Sequence, residues 1–391
     1  MIKIILITDF GEEYGTSLLK GVTKYSHEHG PWVFCRMPTY YRETRGMEGI
    51  LKWAKEWKAN GILGQFYNNS NLEIIMNEGI AVVAQDFKER HTIVPNITGN
   101  YFKTGIMGAE YFLRKGYENF AFYGFKDIVW SRERAQGFEE RIIKEGYVVD
   151  YFEHTRKFKS RELWYYKPSA LSQWLNSLPK PIALMACDDN QAMHITEACR
   201  LNKIRIPEEV AVLGVDNDEM LCNLSDPPMS SICLDTVKAG YEAAKLLHTM
   251  IRTKNQEYYD IVVEPTQIVT RHSTDIYATK DMEVGKALKF IHQNIELNLN
   301  VEHVLDQVPL SRRSLEKRFL SVTGYPVYEY IFNLRIERFT QKLLETDQTI
   351  FEIALDMGLN DSKNIARQFR QIKGCTPSEY REKYLINKRG K

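Results

Sequence analysis

Short apolar runs alternate with longer amphipathic stretches through residues 1–270. Ile4–Thr8, Pro31–Cys35, Gly61–Gly64, Ala81–Ala84, Phe120–Tyr123, Ile182–Ala186 and Val210–Val215 read as buried strands, and Ile232–Leu234 and Ile261–Val263 add two shorter ones. Between them Glu13–His29, Met47–Ala59, Thr104–Lys115, Arg132–Glu145 and Gln191–Asn202 repeat apolar positions at helical spacing. Buried strands alternating with helices predict parallel sheets covered on both faces. Some nine strands are many for one compact sheet, so the pattern predicts two α/β lobes with a cleft at the carboxyl ends of their strands.

The pattern changes after residue 270. Arg271–Asp281 is polar and aperiodic, which predicts a linker over 271–282, followed by an all-α domain over 283–391. Val284, Leu288, Ile291 and Ile295 form one helical stripe, and Phe332, Ile336, Phe339 and Leu343 form another beside Arg335, Arg338 and Lys342. Around the second stripe one pattern is written twice. Val304, Val308, Leu310, Leu315, Phe319 and Gly324 correspond to Ile353, Met357, Leu359, Ile365, Phe369 and Gly374, offset by 49 residues for the first three pairs and 50 for the rest. The one-residue slip falls in a turn, after Leu310 in one copy and Leu359 in the other. Each copy reads as helix, turn, helix, with Ser311 capping one second helix and Asp361 the other; Thr349 caps the first helix of the second copy. Two such motifs on one covalent frame suit two successive major grooves of DNA.

If Leu315, Phe319, Ile365 and Phe369 face inward, the outward faces present Arg312, Arg313, Glu316 and Lys317 in the first copy and Ser362, Lys363 and Arg367 in the second. Arginine and lysine at the start of such a helix reach guanine or phosphate, and Glu316 is a candidate acceptor from cytosine. Charge agrees: Glu283–Lys391 holds 18 Lys and Arg against 14 Asp and Glu, +4 in a chain of net +1, which leaves −3 for the first 282 residues. Six scattered cysteines without CxxC spacing point to reduced thiols and a cytoplasmic setting, and no apolar run is long enough to span a membrane. The first residues read as a strand rather than a signal peptide. No phosphate loop, GxSxG or metal-spaced His/Cys set is present, so neither catalysis nor a cofactor is expected.

Residues 283–385 resemble the AraC/XylS type of DNA-binding domain. The resemblance is carried by Ile353-Ala354, Gly358-Leu359, Asp361, Arg367, Phe369 and the run from Gly374 to Arg381, with Leu334-Arg335-Ile336-Glu337-Arg338 in the central helix. Leu359 and Ile365 stand where aromatics are usual, and Pro309 where glycine is frequent. The first 270 residues are similar to the LacI/GalR type of sugar-sensing domain, a relative of periplasmic binding proteins, through Gly21-Val22, Arg134-Ala135-Gln136-Gly137-Phe138, Asp188-Asp189, Ile206-Pro207-Glu208-Glu209-Val210 and Gly214-Val215-Asp216-Asn217. The order of the two parts resembles that of D-xylose-responsive activators, with the DNA reader placed last.

The resemblance implies a two-lobe periplasmic-binding-protein-like sensor followed by two helix-turn-helix motifs. Its implied partners are double-stranded DNA, D-xylose or a related monosaccharide, a second copy of the chain, and RNA polymerase; no membrane is implied. Sugars require carboxylates, amides and guanidinium groups aimed at hydroxyls, with an aromatic wall. Candidates just past strand ends are Asp9, Tyr14, Gln85, Asp86, Arg134, Asp189 and Asp216, with Trp130 as the wall. One of Asp188 and Asp189 is expected to cap the following helix. Residue types alone leave open xylose, arabinose or a hexose, and activator or repressor.

Overall fold

The computed structural model describes residues 1–8, 12–37, 39–66, 69–154, 168–253, 259–275, 279, 281–358 and 362–385. The chain begins in lobe 1 with β1 (Ile2–Ile7), α1 (Glu13–His29), β2 (Trp32–Arg36), α2 (Thr39–Trp57), β3 (Gly61–Gln65), α3 (Asn69–Met76), β4 (Ala81–Gln85) and β5 (Asn96–Gly99). It crosses into lobe 2 through α4 (Tyr101–Arg114), β6 (Phe120–Phe125), α5 (Val129–Ile143), β7 (Val149–His154), α6 (Pro168–Ser177), β8 (Ile182–Ala186), α7 (Asp189–Leu201), β9 (Val210–Val215), α8 (Glu219–Leu224) and β10 (Ser230–Leu234). It then returns to lobe 1 for α9 (Thr236–Thr253) and β11 (Ile261–Val263), and ends the sensor with β12 (Pro265–Val269) in lobe 2.

The two sheets share one layout. Their orders are β11-β5-β4-β3-β1-β2 and β12-β10-β9-β8-β6-β7, all neighbours parallel except the β10–β12 pair. Each sheet is covered on both faces, so β6, β8 and β9 carry no exposed position and read as continuous apolar runs. β5, β7 and β12 are absent from the predicted strands. They are short or carry polar residues, as in Asn96-Ile97-Thr98-Gly99 and Val149–His154, so no apolar run marks them.

Three chain crossings join the lobes side by side, after Gly99, Leu234 and Val263. The Asn100 N–H donates to the Val263 carbonyl (2.9 Å), and that of Asp235 to the Glu264 carbonyl (2.9 Å). On each lobe one helix pair packs at backbone contact. A Cβ on Gly240 would lie 2.0 Å from the Leu18 carbonyl oxygen, and one on Gly137 2.0 Å from that of Phe102. Glycine here lets α1 meet α9, and α4 meet α5, closer than any side chain allows.

The all-α domain comprises α10 (Met282–Asn294), α11 (Val301–Leu305), α12 (Arg312–Thr323), α13 (Val327–Glu345), α14 (Ile350–Asp356), α15 (Ser362–Lys373) and α16 (Pro377–Leu385). Ser311 caps α12 by accepting from Ser314 N–H, and Thr349 caps α14, as the spacing predicts. Gly324 and Gly374 end α12 and α15 at φ 75° and 76°, left-handed C-caps in corresponding places. Each copy has its own core: Leu315 and Phe319 pack with α10, α11 and the start of α13, while Ile365 and Phe369 pack with α14 and the end of α13. Leu359, Asp361 and the tail from Ile386 lie outside the described residues.

The stretch predicted as a linker starts within lobe 2. Arg271, Ser273, Thr274 and Asp275 are buried. The Ser273 hydroxyl donates to the Val212 carbonyl, and an Arg271 guanidinium nitrogen to that of Met229. Polarity suggested exposure, but these side chains satisfy the carbonyls of Val212 within β9 and Met229 just before β10. If backbone contact sets the α4–α5 pairing, Gly137→Val is expected to lower sensor stability by at least about 1–3 kcal/mol in urea unfolding. Unchanged stability would refute that constraint.

Candidate effector cleft and nucleic-acid interface

Five of the predicted ligand residues meet between the lobes: Tyr14 and Asp86 from lobe 1, and Trp130, Arg134 and Asp216 from lobe 2. Asp9 lies outside the described residues. Arg134, in the second turn of α5, is only 3% exposed. Its guanidinium donates to the Cys187 carbonyl, approaches Asp216 Oδ1 at 3.6 Å, and lies 5.4 Å from the ring centroids of both Trp130 and Tyr101. Across the cleft the Tyr101 hydroxyl donates to Asp86 Oδ1 (2.7 Å) and the Thr98 hydroxyl to Asp86 Oδ2 (2.5 Å). Trp130 is fixed edge-on against Phe125, which leaves Arg134 over its face.

Burial pushes the Asp86 carboxyl up to about 6 against those two hydrogen bonds, and burial does the same to Asp216 against Arg134. Burial, then the charges of Asp86 and Asp216, hold the Tyr14 phenol well above its ordinary value. Tyr14 therefore stays a hydroxyl at neutral pH. Among the described residues the Tyr14 hydroxyl, Arg134 Nε and Asp216 Oδ1 are buried without a hydrogen-bond partner. Buried polar atoms of this kind call for one. Two donors and a carboxylate gathered beside an indole between the lobes suit a small polyhydroxylated ligand.

Asp189 has a different place. Asp188 caps α7, accepting from Gln191 N–H at 2.7 Å. The Asp189 carboxylate accepts from Asp218 N–H (2.7 Å), from the Ser231 hydroxyl (2.6 Å) and from the Cys222 thiol (3.6 Å). A Cβ on Gly214 would lie 2.1 Å from it. Asp189 thus anchors the loop after β9, where Asp216 and Asn217 take φ of 103° and 54°. Such a backbone persists only when its surroundings hold it, and it is what aims Asp216. Gln85, the amide proposed beside Asp86, is the last residue of β4 and accepts from the Thr8 hydroxyl at 2.8 Å. Thr98 and Tyr101 were absent from the sequence candidates because β5 carries no strand signal.

On the DNA-reading side, Arg313 and Lys317 are exposed one helical turn apart on α12, and Arg367 is exposed on α15. Ser362 and Lys363 open α15, with side chains outside the described set. Arg312 is exposed and pairs with Glu302 of α11 at 2.7 Å. Glu316 departs from the expectation: its carboxylate accepts the Val327 N–H (3.1 Å), so it caps α13. On α13, Arg335 donates to the Leu299 carbonyl (3.0 Å) and Lys342 pairs with Glu296 (3.3 Å). Arg338 reaches the Thr270 carbonyl (3.4 Å) and Asp275 (3.7 Å) in the sensor. With Glu316 as a cap, Glu316→Ala is expected to lower domain stability by about 1 kcal/mol while base preference stays fixed. An altered preference in a binding-site selection would restore Glu316 as a reader.

A family described as a periplasmic binding protein-like domain matches residues 109–274, and one described as a helix-turn-helix domain matches residues 304–383. The xylose operon regulatory protein of Escherichia coli K12 is 28% identical over 394 residues, 97% of each chain. The protein of the same description from Haemophilus influenzae is 30% identical over 329 residues, 82% of this chain and 84% of that one. A solved structure described as the xylose-binding transcription activator xylR aligns with a TM-score of 0.60 at 25% identity, covering 97% of both chains. Among the described residues no helix is long and apolar enough to cross a membrane. With sensor lobes, joint and paired DNA-reading motifs in the same order, the chain belongs to the family of xylose operon regulatory proteins.

Proposed function

We propose that the cleft binds D-xylose or a closely related pentose, and that the occupied protein acts as a cytoplasmic homodimer to activate sugar-catabolism genes by recruiting RNA polymerase. The observation that carries this reading is the convergence of Tyr14, Asp86, Arg134 and Asp216 beside Trp130 between two lobes on a triple crossing. A sugar touching both lobes favours the closed form by its differential affinity for it. Closure re-aims the paired readers of a dimer so that linked half-sites are held together.

Contacts running from cleft to reader support this coupling. The Asn217 N–H donates to the Ser231 hydroxyl (3.0 Å) beside Asp216, and the neighbouring Ser230 hydroxyl meets that of Thr274 (2.7 Å). The next residue, Asp275, has an oxygen 2.5 Å from Nδ1 of His292 on α10. Nε2 of that ring meets the Tyr330 hydroxyl of α13 at 2.8 Å. Burial lowers the affinity of His292 for a proton despite Asp275. A displaced loop after β9 therefore bears on a packed polar joint at the foot of the reader.

Arg134→Ala is expected to abolish the thermal stabilisation that D-xylose gives the full chain, because ligand stabilises only the state it binds. Arg313→Ala and Arg367→Ala are each expected to keep that stabilisation and weaken operator binding by roughly 1–3 kcal/mol. A full xylose shift in Arg134→Ala would move the ligand elsewhere. Unchanged operator affinity in both other variants would move the reading face.

A further inference from the structure

The segment after β4 does more than supply Asp86. Phe87 is buried in the core of lobe 2, and its carbonyl accepts the Val129 N–H at the start of α5 (2.9 Å). The next three residues alternate in charge and meet complementary partners on lobe 2. Lys88 pairs with Asp127 at 2.9 Å, Glu89 with Arg132 at 3.6 Å, and Arg90 with Glu133 through both terminal guanidinium nitrogens, one at 2.6 Å. Arg90 is also wired to the ligand carboxylate. Its Nε donates to the Thr98 hydroxyl (2.9 Å), and that hydroxyl donates to Asp86 Oδ2. The Arg90 guanidinium lies 5.8 Å from the centroid of the Tyr101 ring, whose hydroxyl holds the other Asp86 oxygen.

Glu133 and Arg134 are consecutive on α5. One reaches Arg90, which holds Thr98, and the other lies against Tyr101, so adjacent lobe 2 residues act on both hydroxyls that hold Asp86. We propose that the Arg90–Glu133 pair is the positioning element of the cleft: it forms across the lobes and sets Asp86, through Thr98, for a ligand hydroxyl. The two acts separate by chemistry. Charge attraction to Glu133 holds the lobes together. The fork geometry of Arg90, with Nε committed to Thr98 while its terminal nitrogens grip Glu133, sets Asp86. Lysine preserves the first and removes the second.

Three full-length variants test this: Glu133→Gln, Arg90→Lys, and the exchange Arg90→Glu with Glu133→Arg. The first readout is amide hydrogen exchange across residues 127–133 without sugar, which needs no assumption about the ligand. Glu133→Gln is expected to speed exchange there several-fold, while Arg90→Lys and the charge exchange stay near wild type. The second readout is D-xylose affinity by calorimetry, and it rests on the sugar reading of the cleft. Glu133→Gln is expected to raise Kd roughly tenfold by depleting the closed form. Arg90→Lys and the charge exchange are expected to raise it to a similar degree although their lobes stay joined. Wild-type exchange in Glu133→Gln overturns the tie, and wild-type Kd in Arg90→Lys overturns the positioning of Asp86. If the wild-type chain takes up no D-xylose, the sugar reading fails, and the exchange data alone decide whether the pair ties the lobes.

Discussion

A guanidinium buried to 3% exposure must be matched on every side, and the sensor is arranged around that demand at Arg134. Its surroundings come from five places in the chain: the carbonyl after β8, the loop after β9, Tyr101 at the start of α4, Trp130 of its own helix, and the region of Tyr14 across the cleft. Gly137 lies three residues further along α5, where backbone contact with Phe102 fixes the helix on α4. Arg134 is thus aimed by the packing of lobe 2, while the hydroxyl of Tyr14 and the carboxylate of Asp86 come from the other lobe. Among the described residues its Nε has no hydrogen-bond partner, and in the proposed function that donor serves the ligand.

The same economy recurs at the joint between sensor and reader. Residues 271–275 pack into lobe 2 by satisfying buried carbonyls of Val212 and Met229, and the last of them, Asp275, is the carboxylate that meets His292 and Arg338. A buried pairing that loses one partner leaves the other uncompensated, so the joint favours discrete arrangements over gradual drift. In the proposed coupling, Arg338, on the helix that connects the two helix-turn-helix cores, carries that choice to both. The two readers have separate cores and share one helix.

How much of this was legible in sequence depended on whether a residue announces its element. The doubled pattern around Leu315, Phe319, Ile365 and Phe369 reports core positions directly, and Ser311, Thr349 and the glycines at 324 and 374 mark the boundaries. Asp86, Arg134 and Asp216 were readable because each follows a strong apolar strand. Thr98 and Tyr101 were hidden, since β5 is four residues long and half polar. Asp189 looked equal to Asp216 by position; only the three-dimensional fold shows its carboxylate holding the loop from beneath. Glu316 and Arg335 looked like surface charges because helical spacing gives the face of a residue but not which free N–H or carbonyl lies within its reach. The Arg271–Asp275 stretch looked like a linker for the same reason.

If cleft and reader form one thermodynamic system, linkage lets either end report on the other. The direct measurement is D-xylose affinity of the full chain, with and without saturating operator DNA selected from random sequence. With coupled sites, operator is expected to tighten xylose binding by the same factor by which xylose tightens operator binding. Identical xylose affinity in the two conditions would contradict it, because cleft and reader would then bind their ligands independently.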